Sequence, residues 1–328
     1  MQTKRVLSGI RATGRLHLGN YLGMVKGMLE LQDDPVYDVF FMVADLHSIT
    51  TPYDPEEFKQ SVRDVVIDYL AAGLDPEKSS VFVQSHVYEH VELSYLLASE
   101  VTIARLSHLP TYKEKVRQHP KSNTMALLYY PILMAADILL YKTKKLPVGD
   151  DQLPHLEITR EIARKMNEKY GLDFPEPEQI KTKGHYVPSL VGEGKMSKSV
   201  EGSYITLTDD IDTIKEKLAS SPTDSGKGDK LPTEGGVANL LTFVELIQGE
   251  ARRTEYEEKY LGEGLKYKEL KEDLAQAIFD ELGPIREKRV ELEKDTDYVD
   301  KVIEDGAKKA KNIASKTLKE VKERMGLL

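Results

Sequence analysis

Residues 36–44 read Val-Tyr-Asp-Val-Phe-Phe-Met-Val-Ala, a run in which only one side chain is charged. An apolar run of this length is typical of a strand that is covered on both faces, as the strands of a parallel sheet are. Shorter strands are predicted over residues 4–8, 81–84 and 145–148. In the segments between the strands, apolar residues recur at the intervals of an α-helix. Strands that alternate with helices indicate an α/β fold, and we predict a Rossmann-like parallel sheet with helices on both faces.

The pattern along the chain changes near residue 224. Residues 171–222 are rich in Gly and Pro, and we expect a functional loop region there rather than a plain connection. The pattern that follows is almost wholly helical. We therefore predict a Rossmann-like domain over residues 1–223 and an all-helical C-terminal domain over residues 224–328. The predicted helices span residues 20–32, 54–73, 91–115, 123–141, 154–170, 235–249, 268–292 and 298–325.

The composition excludes several kinds of site. The chain has 328 residues and no cysteine, so disulfides and thiolate-bound zinc or iron–sulfur centres are excluded. The eight histidines show no spacing typical of a metal site, and we predict no zinc. No apolar run is long enough for a bilayer span or a signal peptide, so we expect a cytoplasmic protein with no membrane partner.

Charge is unevenly distributed along the chain. The formal net charge of −9 at pH 7 argues against the binding of bulk nucleic acid, and we expect no DNA partner. Residues 301–328 nevertheless carry eight Lys and Arg against four Asp and Glu. This segment is either a solvated helix face or a basic surface for phosphates, and charge alone does not decide between the two.

The first motif, residues 8–20, reads Ser-Gly-Ile-Arg-Ala-Thr-Gly-Arg-Leu-His-Leu-Gly-Asn and leads from a predicted strand into a predicted helix. Gly19 would let a flat base or a ribose approach the backbone. His17 and Asn20 are three residues apart and face the same side of a helical turn, where exposed backbone N–H groups favour phosphate oxygens. The alternative is a glycine-rich turn with a helix-capping asparagine.

The second motif, residues 194–199, reads Gly-Lys-Met-Ser-Lys-Ser and lies in the Gly- and Pro-rich region. We expect residues 192–200 to form a mobile clamp on a polyphosphate. Lysine side chains act as point charges on β- and γ-phosphates, and they matter most when charge moves onto a leaving pyrophosphate. The alternative is an exposed polar loop.

Together the two motifs, about 180 residues apart, resemble the His-Ile-Gly-His-like and Lys-Met-Ser-Lys-Ser motifs of class I aminoacyl-tRNA synthetases. The resemblance continues through residues 44–50, 130–141 and 148–152 and is closest to the bacterial-type tryptophanyl-tRNA synthetase family. It implies adenylylation of L-tryptophan by ATP with Mg²⁺ held by the phosphates, then transfer to the 3′ end of tRNA(Trp), releasing AMP and pyrophosphate. It also implies a homodimer whose C-terminal helices meet the anticodon.

The resemblance further implies which residues bind ATP. The corresponding positions are Arg11, Ala12, Thr13, Gly19, Asn20, Gly149, Asp150, Asp151, Val187, Lys195, Met196, Ser197, Lys198 and Ser199. Catalytic stabilisation of charge is implied for His17, Asn20, Lys115, Lys195 and Lys198. Lys115 matches a lysine of a mobile loop that helps to hold the pyrophosphate portion. No metal ligand is implied among the protein side chains.

Tryptophan binding is implied for Leu7, His47, Tyr130, Met134, Asp137, Val148 and Gln152. Asp137 matches the residue that accepts a hydrogen bond from the indole N–H, which fits a carboxylate that needs a donor on an apolar helix. It could also be a satisfied core carboxylate. The chain departs from the family at two positions. At position 7 it has Leu where some members stack Phe on the indole, so we expect a looser grip on the ring. At position 12 it has Ala where many members have Pro, so we expect the first loop of this chain to be less rigid.

Three alternatives are weighed against this hypothesis. A tyrosyl-tRNA synthetase shares the scaffold, although a carboxylate on a helix lined by Ala and Met favours indole over phenol. A small-molecule nucleotidyltransferase with a His-x-Gly-His motif would not need the helical C-terminal region or the second motif. A catalytically idle paralogue that binds tRNA would not be expected to keep both motifs.

Overall fold

The computed structural model describes residues 4–118, 120–181, 184, 186–191, 194–198 and 200–328. Its strands are β1 (Lys4–Ile10), β2 (Tyr37–Val43), β3 (Ser79–Val83), β4 (Lys145–Leu146) and β5 (Glu178–Gln179). Within the described ranges they form one sheet in the order β3-β2-β1-β4-β5, and every pairing is parallel. The predicted α/β fold is therefore confirmed. The two-residue strand β5 is too short to leave a periodic signal in the sequence.

The apolar character of β2 from Val39 onward follows from its place in the sheet. Val39, Phe41 and Val43 belong to one hydrophobic core, whereas Phe40 and Met42 belong to a second. Because successive side chains of a strand point to opposite faces, the part of a strand that has a core on each face is apolar at successive positions. β2 also pairs with β1 on one side and β3 on the other, so its backbone is fully engaged.

Helices cover both faces of the sheet and continue to the C-terminus. They are α1 (Leu18–Asn20), α2 (Lys26–Gln32), α3 (Asp45–Ser48), α4 (Pro55–Ala71), α5 (Glu89–Ala98), α6 (Ile103–Ser107), α7 (Pro110–Gln118), α8 (Met125–Leu140), α9 (Leu153–Tyr170), α10 (Ile211–Ala219), α11 (Gly235–Gln248), α12 (Glu250–Leu261), α13 (Tyr267–Glu281), α14 (Gly283–Lys294) and α15 (Thr296–Arg324). A π-helical turn, Tyr21–Val25, joins α1 to α2. Within the part of the chain that the structure describes, none of the helices combines the length and the apolar character that a membrane span needs.

Two predicted helices are wrong in extent. The helix predicted over residues 268–292 is divided into α13 and α14, because Pro284 in the first turn of α14 has no N–H for the helical ladder. The helix predicted over residues 91–115 is divided into α5, α6 and α7. Thr102 starts α6 there, and its hydroxyl accepts the backbone N–H of Arg105 at 3.2 Å.

The C-terminal helices pack directly on the α/β unit. α14 lies against α4, and α15 runs along β3 and α5. The contact with β3 is very close at Gly306, because a Cβ on this residue would overlap the carbonyl oxygen of Val81. Since β3 is at one edge of the sheet, α15 covers that edge. The division of the chain at residue 224 stays a prediction.

The order of the strands creates a crevice between β1 and β4. From this pair the sheet extends through β2 and β3 on one side and through β5 on the other. Ligands of open parallel sheets bind beyond the carboxyl ends of the strands at such a point. β4 ends at Leu146, earlier than predicted, because Pro147 has no N–H to pair. The segments that follow Ile10 and Leu146 therefore begin at the crevice.

Candidate active site

A cleft of about 1160 Å³ opens at the carboxyl ends of β1 and β4. Most of the residues predicted from the sequence line it, namely Leu7, Arg11, His17, Gly19, Asn20, His47, Lys115, Tyr130, Met134, Asp137, Val148, Gly149, Asp150, Asp151, Gln152, Lys195, Met196 and Ser197. Four others do not line it: Ala12, Thr13, Val187 and Lys198. Ser199, with Gly192 and Glu193 of the same loop, lies outside the described residues.

The two motifs contact each other beside this cleft. The backbone N–H of Gly19 points to the thioether sulfur of Met196, with a nitrogen–sulfur distance of 3.1 Å. The ammonium group of Lys198 donates to the carbonyl oxygen of Thr13 at 2.9 Å. A Cβ on Gly19 would lie 3.0 Å from the Cβ of Met196, so glycine is what permits the close approach. Two segments that are far apart in the sequence thus form one wall.

The start of α1 is arranged differently from the expectation. We expected exposed N–H groups, but those of Leu18, Gly19 and Asn20 are all bonded within the protein. Leu18 donates to the carbonyl oxygen of Ile205 at 2.8 Å, Gly19 donates to the Met196 thioether, and Asn20 donates to the helix cap. That expectation is therefore wrong, because the chain that follows the second motif covers this turn.

His17 and Asn20 form a reciprocal cap. The Nδ1 atom of His17 accepts the backbone N–H of Asn20 at 3.3 Å, and the Oδ1 atom of Asn20 accepts the backbone N–H of His17 at 3.1 Å. Burial lowers the pKa of His17 to about 3, and the positive charges of Lys198 and Lys195 contribute. The ring is therefore neutral at pH 7. Because its Nδ1 is an acceptor, its Nε2 carries the proton and is a donor.

The backbone of Ala12 holds the loop of the first motif through a hydrogen bond to α3. Its backbone N–H donates to the hydroxyl of Ser48 at 2.7 Å, a bond that proline could not make. The neighbouring guanidinium of Arg11 donates to the hydroxyl of Thr51 at 2.6 Å and to the carbonyl oxygen of Ser48 at 3.2 Å. Burial lowers the pKa of Arg11 below its usual value. The loop is thus tied to the end of α3 despite the missing proline.

The three lysines have different surroundings. Lys195 is exposed on the cleft wall, and its Nζ lies 3.4 Å from where a Cβ on Gly149 would be. Lys198 is half-buried, and burial lowers its pKa to about 8, although the carboxylates of Asp68 and Asp64 oppose the shift. Lys115 lies in the last turn of α7, not in a loop as the resemblance implied.

The segment after β4 forms the opposite wall of the cleft. Asp150 begins a short 3-10 turn, and its Oδ1 accepts the side-chain amide of Gln179 in β5 at 2.9 Å. Asp151 accepts the side-chain amide of Gln152 at 2.6 Å. These carboxylates are acceptors of the kind that ribose hydroxyls require. Val187 is fully buried, and its carbonyl oxygen accepts the backbone N–H of Met196 at 2.9 Å.

Asp137 lies in a dense set of hydrogen bonds at the bottom of the cleft. Its Oδ1 receives the side-chain amide of Gln84 at 2.7 Å and the Nδ1–H of His90 at 2.6 Å. Its Oδ2 receives the Nε2–H of His47 at 2.8 Å. The second ring nitrogen of His90 lies 2.8 Å from the hydroxyl of Tyr141. The carboxylate is thus a satisfied buried group that also lines the cleft.

These donors decide the charge of Asp137. Its side chain is only 2% exposed, and burial alone would raise its pKa. The hydrogen bonds from His47 and His90 outweigh burial and hold the pKa well below the ordinary value. Asp137 is therefore ionised at neutral pH, and an ionised carboxylate only accepts hydrogen bonds.

A second hydrogen-bond network in the lining of the cleft is centred on His155. The Nδ1–H of His155 donates to the amide oxygen of Gln152 at 3.0 Å, and its Nε2 lies 2.7 Å from the hydroxyl of Tyr130 and 2.8 Å from that of Thr111. Burial lowers the pKa of His155 to about 4, although Asp151 opposes the shift. The ring is neutral at pH 7 and fixes the orientation of the side chains around it.

Besides Tyr141, four residues of these networks were missing from the predicted site: Gln84, His90, Thr111 and His155. His155 could have been found, because it follows Gln152 by three residues and such spacing brings side chains together on a helical turn. The other three come from distant segments, and no local pattern marks them. Within the described residues, no group of three or more His, Asp or Glu side chains is placed to hold a metal ion.

This chain is similar to known proteins in both sequence and structure. Residues 2–283 match a family model described as tRNA synthetases class I (W and Y). A tryptophan–tRNA ligase of Caldanaerobacter subterraneus subsp. tengcongensis is 42% identical over 331 residues, which cover 99% of each chain. Tryptophanyl-tRNA synthetase from Mycoplasma pneumoniae superimposes with a TM-score of 0.88 at 33% identity, over 100% of this chain and 99% of that one. The enzyme from Campylobacter jejuni, complexed with ADP and tryptophan, has a TM-score of 0.82 at 34% identity, over 98% of this chain and 100% of that one.

Proposed function

This chain belongs to the class I tRNA synthetases (W and Y), and on that premise we propose that it activates L-tryptophan with ATP and transfers it to the 3′ end of tRNA(Trp). One observation carries the proposal most directly. The ionised carboxylate of Asp137 lies at the bottom of the same cleft that both nucleotide motifs line. A single cavity therefore offers an acceptor for an indole N–H and cations for a polyphosphate.

The indole fits the pocket around Asp137. An indole N–H is only a donor, and the ionised carboxylate is only an acceptor. The Oδ2 atom of Asp137 receives one donor, from His47, and has a second lone pair available for the indole. Leu7, Met134 and Val148 supply apolar walls. A phenol O–H can also donate to this carboxylate, so discrimination against tyrosine depends on how the larger indole fits between the apolar walls.

The amino-acid end of the substrate meets the second network. The Tyr130 hydroxyl and the Gln152 amide lie at the cleft wall and carry oxygens that can accept from an ammonium group. His155 supports both side chains and is neutral above a pH of about 4, so it does not repel that ammonium. The negative charge of Asp151 nearby favours the ammonium further.

The first step needs charge stabilisation and no protein base. The tryptophan carboxylate is already ionised, and its oxygen attacks the α-phosphorus of Mg-ATP, while the bond to the bridging oxygen breaks and pyrophosphate leaves. Mg²⁺ enters with ATP and is held by phosphate oxygens. Lys195 and Lys115 face the phosphates from two walls, and the neutral His17 donates through Nε2. Lys198 joins them when its ammonium group leaves the Thr13 carbonyl.

The second step transfers the activated amino acid. The terminal adenosine hydroxyl of tRNA(Trp) attacks the carbonyl carbon of the adenylate, and AMP leaves. We place the anticodon against the C-terminal helices. Some of the positive charge after residue 301 is neutralised by ion pairs, because Lys308 pairs with Glu304 and Lys322 pairs with Glu92. Phosphate contacts by α15 therefore involve an exchange of such pairs.

The proposed enzyme is a cytoplasmic homodimer, and α5 offers a surface for the second copy. Tyr88, the N-cap of α5, is exposed together with Val91 and Tyr95 within the helix, and Tyr95 is 76% exposed. Replacement of Tyr95 by Glu would place a charge in the middle of this face. We expect this variant to sediment as a monomer. If its oligomeric state is the same as that of the wild type, α5 does not form the dimer interface.

ATP–pyrophosphate exchange with each of the twenty amino acids tests the proposal. We expect exchange with tryptophan, little with tyrosine, and charging of tRNA(Trp) by the same preparation. The double variant Lys195→Ala/Lys198→Ala serves as the inactive control. Exchange that depends on tyrosine would favour the tyrosyl enzyme, and no exchange with any amino acid would reject the proposed function.

A further inference from the structure

A buried ion pair joins α14 to the loop of the first motif. The Asp68 carboxylate on α4 is fully buried, and its Oδ2 accepts the backbone N–H of Leu16 at 2.5 Å. Its other oxygen pairs with the guanidinium of Arg289 on α14, a residue that is only 1% exposed. One carboxylate thus contacts both the loop that leads to His17 and a helix of the C-terminal region.

The Leu16 peptide is held on both sides. Its N–H is bonded to Asp68, and its carbonyl oxygen accepts the backbone N–H of Leu207 at 3.2 Å. The next residue is His17, whose side chain and backbone form the reciprocal cap with Asn20. The direction in which His17 and Asn20 enter the cleft therefore depends on where the Asp68 carboxylate lies.

Arg289 also contacts two other carboxylates. Its guanidinium donates to Oδ1 of Asp64 at 2.7 Å and to Oε1 of Glu293 at 3.0 Å. The same Glu293 oxygen also lies 3.5 Å from the guanidinium of Arg15 in the first motif, an exposed and weaker link. Burial raises the pKa of Asp68 to about 6, and Arg289 limits the rise, so the pair is mostly ionic at pH 7.

We propose that Asp68 and Arg289 are positioning residues that couple α14 to the nucleotide-binding loop. The inference rests on the proposed function, because it concerns how the ATP site is held in shape. Neither residue lines the cleft, so each acts through the Leu16 peptide. A displacement of α14, such as one caused by tRNA on the C-terminal helices, moves Asp68 and with it His17 and Asn20.

Two double variants separate the hydrogen bond from the ion pair. Asp68→Asn with Arg289→Met removes the charges but keeps an oxygen that can accept the Leu16 N–H. Asp68→Leu with Arg289→Met removes the charges and the acceptor at similar volume. Replacement of both partners of a buried pair by neutral groups is often tolerated, so both variants are expected to fold. The KM for ATP and the KM for tryptophan are then measured in pyrophosphate exchange.

We expect the KM for ATP to be about tenfold higher in the Leu variant than in the Asn variant, with an equal KM for tryptophan in both. If the KM for ATP is the same in the two variants, the proposed role of the Leu16 hydrogen bond is overturned. The matched control is Arg252→Met with Asp273→Leu, which removes an ion pair between α12 and α13. This control is expected to keep the wild-type values for both substrates.

A third variant tests the coupling if the Leu variant does not fold. Arg289→Lys keeps a cation beside Asp68 but cannot reach Asp64 and Glu293 at the same time. We expect an ATP KM above that of the wild type, and a melting temperature within a few degrees of the wild-type value. A wild-type KM would overturn the coupling. If the wild-type protein shows no pyrophosphate exchange that depends on tryptophan, the proposed function itself is rejected.

Discussion

The Nδ1 atom of His90 lies 2.6 Å from Oδ1 of Asp137, and both side chains are almost completely buried. The ionised carboxylate can only accept, so Nδ1 carries the proton and Nε2 accepts from the hydroxyl of Tyr141. This chain of bonds fixes the carboxylate in one orientation. Its second oxygen is left to His47 and to the proposed indole.

Replacement of His90 by Phe should weaken tryptophan binding about tenfold, because one hydrogen bond to a charged group is lost while the ring volume is kept. The KM for ATP should not change. The chain contains no tryptophan, so the fluorescence of the bound ligand reports its own binding. His108→Phe, on the exposed surface beyond α6, is the matched control. An unchanged dissociation constant would mean that His90 only fills space.

Replacement of Asp137 by Asn should reduce the selectivity for tryptophan over tyrosine. The amide keeps the shape, but its NH2 group replaces one of the two oxygens and then faces donors, either Gln84 and His90 or His47 and the indole. We expect kcat/KM for tryptophan to fall about a hundredfold, with a smaller change for tyrosine. Exchange assays with both amino acids measure this. A preserved ratio of the two constants would reject the role of Asp137 in selectivity.

The activity should decline in alkaline solution because of Lys198. Burial lowers the pKa of this lysine to about 8, so it is cationic below that pH and loses its charge above it. The value of kcat/KM for ATP, which reports groups of the free enzyme, should therefore fall as the pH rises through 8. Lys198→Arg should remove this decline, because arginine stays charged. Lys195→Arg is the matched control and should leave the decline in place.

The sequence predicts the sheet because the sheet leaves local patterns. Residues 39–44 are apolar at every position because both faces of β2 are covered there. The boundaries of helices were less well predicted, since the apolar spacing of residues 268–292 continues past the division that Pro284 imposes between α13 and α14. The strand β5 is set by its pairing with β4 and has too few residues to show any period.

In the predicted site, too, the residues that belong to local sequence motifs could be identified. Most of the residues identified through the two motifs line one cleft, because they lie on segments that follow the carboxyl ends of strands. The partners of Asp137 could not be found in this way. Gln84 and His90 lie about fifty residues before it, and only the packing of α5 against α8 brings His90 to the carboxylate.

Gly19→Ala should separate the two motifs without unfolding the protein. A Cβ at this position would lie 2.9 Å from the Nδ1 of His17 and 3.0 Å from the Cβ of Met196, which is closer than such contacts normally allow. Met196 is the neighbour that can move, since His17 is fixed by its cap with Asn20. A shift of Met196 carries Lys195 away from the phosphates, so the KM for ATP should rise about tenfold while the tryptophan affinity is kept.

Gly283→Ala provides the matched control for this substitution. Gly283 is the first residue of α14, and the nearest atom to an added Cβ would be 3.8 Å away, on the guanidinium of Arg286. This variant should keep the wild-type KM for ATP and a similar melting temperature. If Gly19→Ala behaves in the same way, the contact between the two motifs does not set the affinity for ATP. Equal losses of ATP and tryptophan affinity in Gly19→Ala would instead indicate a general distortion of the cleft.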